Sequence, residues 1–297
     1  MSAAQISAYA KVNLCLFLGQ RREDGRHDLV TLLETVELAD QLEVTPSGSG
    51  SDQVICPGVP GPNLVSAALT GLRSAGWDAP AVRVEIDKRI PVAAGMGGGS
   101  ADAAAILRHA PSLAAVAPEV VFALAASLGS DVPSQLDPGP SVGTGAGDLL
   151  RPLPDPAQHG LLVLPQPVGL STADVYRAAD GLDRARNPTE LLAVDVALEV
   201  EAAHPGWTLP PSLVVNELQA AALTLRPEIA RALAAARGAG AERAIVCGSG
   251  PTVIGVFWGP DGLVRATVAA EALAGQFPGA LATRPRLRGV GRAVANP

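Results

Sequence analysis

Pro91-Val92-Ala93-Ala94-Gly95-Met96-Gly97-Gly98-Gly99-Ser100-Ala101-Asp102-Ala103-Ala104-Ala105 packs four glycines into the five positions 95–99 and then runs into helix formers. Glycine removes the side chain where a backbone must come close to something, and alanine is the strongest helix former. Just upstream, Val82–Ile86 reads as a strand. A strand, a glycine loop and a helix N-terminus in that order put bare N–H groups and the positive end of a helix dipole in one place, where an anion, usually phosphate, binds. Ser100 has three candidate roles there: capping the helix, touching phosphate, or ligating a magnesium ion. Two common phosphate loops are excluded by letter. A Walker loop needs Gly-Lys, and no such pair occurs. The dinucleotide pattern G-x-G-x-x-G, started at Gly95, would put its last glycine at Ser100. The His-Arg-Asp and Asp-Phe-Gly strings of protein kinases are also missing. A turn without a ligand is the competing reading of any glycine-rich segment, and the placement before a helix argues against it.

Working outward, residues 6–18 alternate strictly. Ile6, Ala8, Ala10, Val12, Leu14, Leu16 and Leu18 share one face, while Lys11 and Asn13 share the other. Period two predicts a strand with one face on the core, with Lys11 and Asn13 projecting the same way about 7 Å apart. Further strand is expected over 29–45, a Gly/Ser/Pro-rich connection over 46–62, and a helix capped by Asn63 through Ser74. Its apolar stripe is Leu64, Ala67, Ala68 and Leu72. A second helix over 118–128 ends in a turn at Gly129–Pro133. Beyond a Pro/Gly-rich crossing at 137–160, the pattern predicts a strand at 161–164 and helices at 173–180, 188–202 and 212–237. Strands at 243–247 and 252–258, a helix at 261–275 and a strand at 281–287 follow. Strands and helices mix without strict alternation, as in an α+β protein of two layers.

The 297 residues suit one large domain or two of about 150 residues. Hydrophobic residues make up 48% and charged residues 17%, enough for a large core. A net charge of −7 argues against a nucleic-acid surface. Three scattered cysteines and no metal spacing among the four histidines argue against a disulfide frame or a zinc site. No apolar run of membrane length and no leader pattern occur, so a cytoplasmic chain with no membrane partner is expected. Only two lysines, Lys11 and Lys88, stand among 22 basic residues, which draws attention to each.

Taken in order, several motifs resemble those of the GHMP kinases. They are Ala8-Tyr9-Ala10-Lys11-Val12-Asn13, Asp24-Gly25-Arg26-His27-Asp28-Leu29, the glycine loop, and Leu128-Gly129-Ser130-Asp131-Val132-Pro133. Gly143-Thr144-Gly145-Ala146-Gly147-Asp148, Leu170-Ser171-Thr172-Ala173-Asp174-Val175-Tyr176, Asn216-Glu217-Leu218 and Gly248-Ser249-Gly250-Pro251-Thr252 continue the series. The resemblance implies an α+β fold of two domains. Residues 1–151 would form an ATP-binding domain like the second domain of ribosomal protein S5. Residues 152–297 would form a ferredoxin-like domain contributing to the acceptor site.

It further implies transfer of the γ-phosphoryl group of ATP, with Mg2+, to a small alcohol. Lys11 and Asp131 would be the catalytic pair, the carboxylate taking the hydroxyl proton and the ammonium stabilising charge. Without the resemblance, a snorkelling lysine and a turn aspartate are the ordinary readings. Asn63, Leu64 and the run Pro91 to Ala101 would hold the nucleotide. Asn13, Arg26, His27, Thr172, Tyr176, Gly248, Ser249 and Gly250 would hold the acceptor, with Asn13 bonding substrate or Asp131. The Gly25–Asp28 and Ser171–Tyr176 segments resemble those of family members whose acceptor carries a cytidine diphosphate. His27 would bond the base, and Arg26 stands where an aromatic residue is usual. Its guanidinium would stack opposite Tyr176. A kinase for another alcohol and a non-catalytic sensor are the alternatives, as are monomer and homodimer.

Overall fold

In a computed structural model, residues 3–182 and 184–288 are described. The first strand, β1 (Ala4–Arg21), runs antiparallel to β2 (His27–Pro46) along nearly its whole length. The other edge of β2 is shared: its end pairs with β4 (Val82–Asp87) and its start with β5 (Ser141–Thr144). The short β3 (Gln53–Ile55) lies parallel to β4, and β6 (Leu149–Pro152) closes the far edge beside β5. This makes a six-stranded sheet. Three helices cover it: α1 (Leu64–Ser74), α2 (Gly98–Leu113) and α3 (Pro118–Leu128). The small buried residues Ala101, Ala103, Ala104 and Ala105 let α2 come close to β1.

The second sheet has the order β10 (Leu281–Thr283), β7 (His159–Leu164), β9 (Val253–Trp258), β8 (Arg243–Val246), all antiparallel. Numbered within this half, that is 4-1-3-2, the expected ferredoxin-like arrangement. Its alternation is read by two cores. Leu162, Leu164, Val246, Val253 and Phe257 pack under α7 (Ile229–Gly238) and α8 (Gly262–Leu273). Leu161, Val163, Ile245, Ile254 and Val256 face the other way, into the larger core shared with the first sheet.

Helix α4 (Thr172–Asp180) packs with α6 (Gln219–Leu225), and α5 (Pro188–Glu201) lies across β1 and β2. The second half therefore covers the other face of β1. Lys11, Asn13, Cys15 and Phe17 are all buried, whereas the alternation predicted one buried face. The helix expected over 212–237 is two helices preceded by an extended segment. The Leu16 amide bonds Val215 O, and the Glu217 amide bonds Leu16 O, so the apolar residues near 214 pair with β1 instead. Pro227, lacking an N–H, separates α6 from α7. The strand expected over 281–287 stops at Thr283, and the 46–62 connection contains β3. The α1 stripe also differs: Val65, Ala68, Leu69 and Leu72 are buried, with Ala67 outside. Among the described residues no helix is long and apolar enough to cross a membrane.

Candidate active site

The glycine loop leaves β4 and turns under α2. Gly95 (φ 78°) and Gly97 (φ 69°) sit in left-handed conformations that disfavour any side chain. Gly97 is the N-cap and makes no side-chain cap bond, so Ser100 lies inside the first turn and does not cap. The first intrahelical bond runs from the Ala101 amide to Gly97 O. The amides of Gly98, Gly99 and Ser100 precede it and form the anion-binding end of the helix. Ala101 corrects an expectation: it is 1% exposed in the core, and its N–H is spent on Gly97. Met96 is also buried, but its carbonyl accepts the Lys11 amide at 3.0 Å and fastens the loop to β1. A Cβ on Gly97 would stand 3.1 Å from Lys11 Cγ, so glycine there gives the lysine its room.

Lys11 Nζ lies 3.6 Å from Asp131 Oδ2, the one side chain 7% exposed and the other 42%. Asp131 enters from the turn between α3 and the short 3-10 helix Pro133–Gln135. Lys11 Nζ donates to Asn13 Oδ1 at 2.8 Å. Asn13 Nδ2 donates to Thr31 Oγ1 at 2.8 Å, and Thr31 Oγ1 donates to Cys15 O at 2.6 Å. Asn13 is thus bonded to the lysine rather than to Asp131.

A second loop, residues 247–250, comes up from β8 against the first. Cys247 O lies 2.4 Å and Gly250 O 3.1 Å from where a Cβ on Gly95 would be. Gly248 (φ 55°) would place a Cβ 3.1 Å from Asn13 Oδ1 and 3.5 Å from Lys11 Nζ. Asn216 clamps this loop: its Nδ2 donates to Val246 O (2.7 Å) and Gly248 O (2.6 Å), while its Oδ1 accepts the Leu218 amide. Gly250 corrects another expectation, since its N–H is taken by Cys247 O at 2.8 Å and it does not line the cleft. Ser249 Oγ and Thr172 Oγ1 meet at 3.0 Å on the cleft wall.

These parts line one cleft of about 1110 Å³. Asn63 and Leu64 stand at one end, where Asn63 Oδ1 also caps α1 through the Val65 amide. Lys88 lies beneath this end, ion-paired with Asp40 and, at 2.8 Å, with Asp102. Burial pushes the Asp102 carboxyl up to about 7, with Lys88 opposing the shift. Asp40 was unmarked in the sequence, Asp102 stood in the quoted loop without a role, and only lysine scarcity pointed at Lys88. At the opposite end, Arg26 bonds Asp24 and Asp148, which hold its guanidinium at the cleft edge. The rings of His27 and Tyr176 lie 5.2 Å apart at 34°, and His27 Nε2 meets Asp180 Oδ1 at 2.6 Å. Burial, helped by the negative charge of Asp131, pushes the Tyr176 hydroxyl up to about 12. The expected nucleotide, catalytic and acceptor residues therefore share one cleft, Ala101 and Gly250 excepted.

A glycine loop at a helix N-terminus, an ammonium–carboxylate pair and a second glycine loop, gathered on one cleft, are the parts of a small-molecule kinase. The GHMP kinases N terminal domain matches residues 63–139, and the GHMP kinases C terminal domain matches residues 208–278. The chain belongs to the GHMP kinase family. Within it, the chain is 41% identical over 269 residues to the 4-diphosphocytidyl-2-C-methyl-D-erythritol kinase of Rhodococcus jostii, covering 88% of this chain and 86% of that one. The crystal structure of a 4-(cytidine 5'-diphospho)-2C-methyl-D-erythritol kinase superimposes with a TM-score of 0.73 at 35% identity, covering 95% of this chain and all of the other. The mevalonate kinase of L. major shares the fold at a TM-score of 0.68 and 15% identity, over 96% of each chain.

Proposed function

We propose that this chain transfers the γ-phosphoryl group of ATP to the 2-hydroxyl of 4-diphosphocytidyl-2-C-methyl-D-erythritol. It would act in the cytoplasm, on the non-mevalonate route to isoprenoid precursors. The observation that carries the reading is the Lys11–Asp131 pair, 3.6 Å apart beside the glycine loop of a cleft that also holds His27 and Tyr176. The division into a nucleotide half, residues 1–151, and a half that helps hold the acceptor, residues 152–297, is supported by Thr172, Tyr176, Gly248 and Ser249 in the cleft wall.

In this reading the triphosphate rests on the amides of Gly98, Gly99 and Ser100. Asp131 takes the proton of the 2-hydroxyl as its oxygen bonds the γ-phosphorus and the bond to ADP breaks. Lys11, held by Asn13, offsets negative charge on the moving group. His27 faces the base, Tyr176 and Arg26 flank it, and Ser249 with Thr172 borders the diphosphate. Magnesium fits the residues present. Ser100 Oγ is a hard donor with no side-chain hydrogen bond among the described residues, and no cluster of three His, Cys, Asp or Glu occurs there. That suits an ion held mostly by phosphate oxygens and water. When bound, it would neutralise phosphate charge.

The test is ADP release with ATP, Mg2+ and a panel of alcohols. Turnover is expected with the cytidine diphosphate conjugate of methylerythritol. Turnover only with mevalonate phosphates, homoserine or sugars would replace this reading with that of a GHMP kinase for another acceptor. The departure at Arg26 motivates that alternative.

A further inference from the structure

His27 is 5% exposed at the start of β2. Its Nε2 is 2.6 Å from Asp180 Oδ1. A carboxylate only accepts, so Nε2 carries the proton, and the neutral ring then offers Nδ1 as an acceptor. Nδ1 makes no side-chain hydrogen bond among the described residues, and the ring lines the cleft. Tyr176, one turn before Asp180 on α4, packs on the imidazole and opposes the ring flip that would exchange the nitrogens. Of the neighbouring cations, Arg26 is engaged with Asp24 and Asp148 and Arg177 with Asp174, while Arg21, opposite His27 on β1, donates to Gly25 O. Asp180 is also the last residue of α4, where the negative end of the dipole disfavours a carboxylate. Helix stability does not account for an aspartate there.

We propose that Asp180 is a positioning residue that fixes the tautomer of His27 and so makes the site choose a pyrimidine with an exocyclic amine over one with a carbonyl. This rests on the cytidine reading above. An acceptor Nδ1 pairs with the 4-amino group of cytosine. Opposite the O4 of uracil it leaves two acceptors facing each other in a buried place. The discrimination expected from this one contact is on the order of 10- to 100-fold.

The test compares kcat and KM for the cytidine and uridine diphosphate forms of the acceptor in the wild type, Asp180→Leu and Asp180→Glu. Asp180→Leu should lose about 10- to 100-fold of the cytidine preference, mainly through KM. Asp180→Glu, which keeps an acceptor-only group, should retain it. Nitrogen NMR of histidine-labelled protein, with His27 assigned by its loss in His27→Gln, should show Nε2 protonated in the wild type and a tautomer mixture in Asp180→Leu. An unchanged preference in Asp180→Leu, or a wild type protonated at Nδ1, overturns the proposal. Failure of the parent reading looks different. The wild type would then turn over neither conjugate, removing the selection with the acceptor, while the nitrogen shifts would still decide the tautomer.

Discussion

Gly95→Ala tests the contact between the two loops, and Gly50→Ala is its matched control. Both glycines have nearly the same left-handed backbone, φ 78° and 76°. A side chain in that region costs about 1–2 kcal/mol at either site. Around Gly50 nothing lies within 4 Å of the added Cβ, so strain is the whole effect there. At Gly95 the Cβ would sit 2.4 Å from Cys247 O, a backbone atom with no rotamer to yield. A carbon and a carbonyl oxygen approach to about 3.3 Å at closest, so one loop must retreat by about 0.9 Å. Overpacking of that kind costs about 1–3 kcal/mol more. For a chain of this size that is roughly 2–12 °C of Tm beyond the control. Cys247 O also accepts the Gly250 amide, and Gly248 stands beside Lys11, so the retreat reaches the proposed reacting centre. A misplacement of about 1 Å there lowers kcat by about 100-fold. Thermal unfolding and ADP-release kinetics on both variants give the comparison. Equal Tm and equal kcat in the two variants would refute the claim that the loops are in contact.

Asp131→Asn should lower turnover by about 10²- to 10⁴-fold while calorimetry finds ATP affinity near wild type; a loss under about tenfold would remove Asp131 as the base. Glu34 and His159 are wholly buried and bonded at 3.0 Å, so Glu34→Ala, which strands the imidazole, should cost about 3–5 kcal/mol in denaturant unfolding. Burial works against charge on His159, yet Glu34 and Ala157 O outweigh it and raise the group above its ordinary 6.5. A folded value above the unfolded one stabilises fully below about 6.5 and is lost as pH rises through the folded value. Wild type should therefore lose more stability between pH 6 and 9 than His159→Gln, and parallel pH curves would exclude the pair as the cause. Asn216→Ala leaves the buried carbonyls of Val246 and Gly248 short of a donor and should cost about 1–3 kcal/mol; a Tm within error of wild type would mean that the 247–250 loop holds itself.

What could be read before folding was whatever a local pattern states. Period-two alternation marks β1, an asparagine before an apolar stripe marks the start of α1, and glycines ahead of alanines mark the cradle. The misses share a cause. Asp180 meets His27 across 153 positions, and Asn216 reaches Gly248 across 32. Asp180 carries no mark in the sequence, and the place of Asn216 in a motif does not say what it clamps until tertiary packing brings the loop in. The segment before Gln219 shows the same limit in reverse. Leu213, Val214 and Val215 suit a helix by apolarity, but β1 offers them unpaired backbone groups, and pairing wins over propensity. Ser100 lost its capping role because Gly98 and Gly99 enter the helix themselves, at a propensity cost of about 1 kcal/mol each.

The two members of the proposed reacting pair are held very differently, and that difference suits the parts proposed for them. Lys11 is sunk to 7% exposure and fixed through Asn13, Thr31 and the carbonyl of Cys15, a chain anchored entirely in β1 and β2. A charge so held need not reorganise when negative charge develops beside it. Asp131 stands on a turn, 42% exposed, and meets the lysine at 3.6 Å rather than at hydrogen-bond length. A tight, bidentate ion pair would spend both carboxylate oxygens on the lysine and leave none for a hydroxyl. The longer separation keeps the charges coupled while Asp131 remains open to the cleft, so a proton can arrive without first breaking a salt bridge.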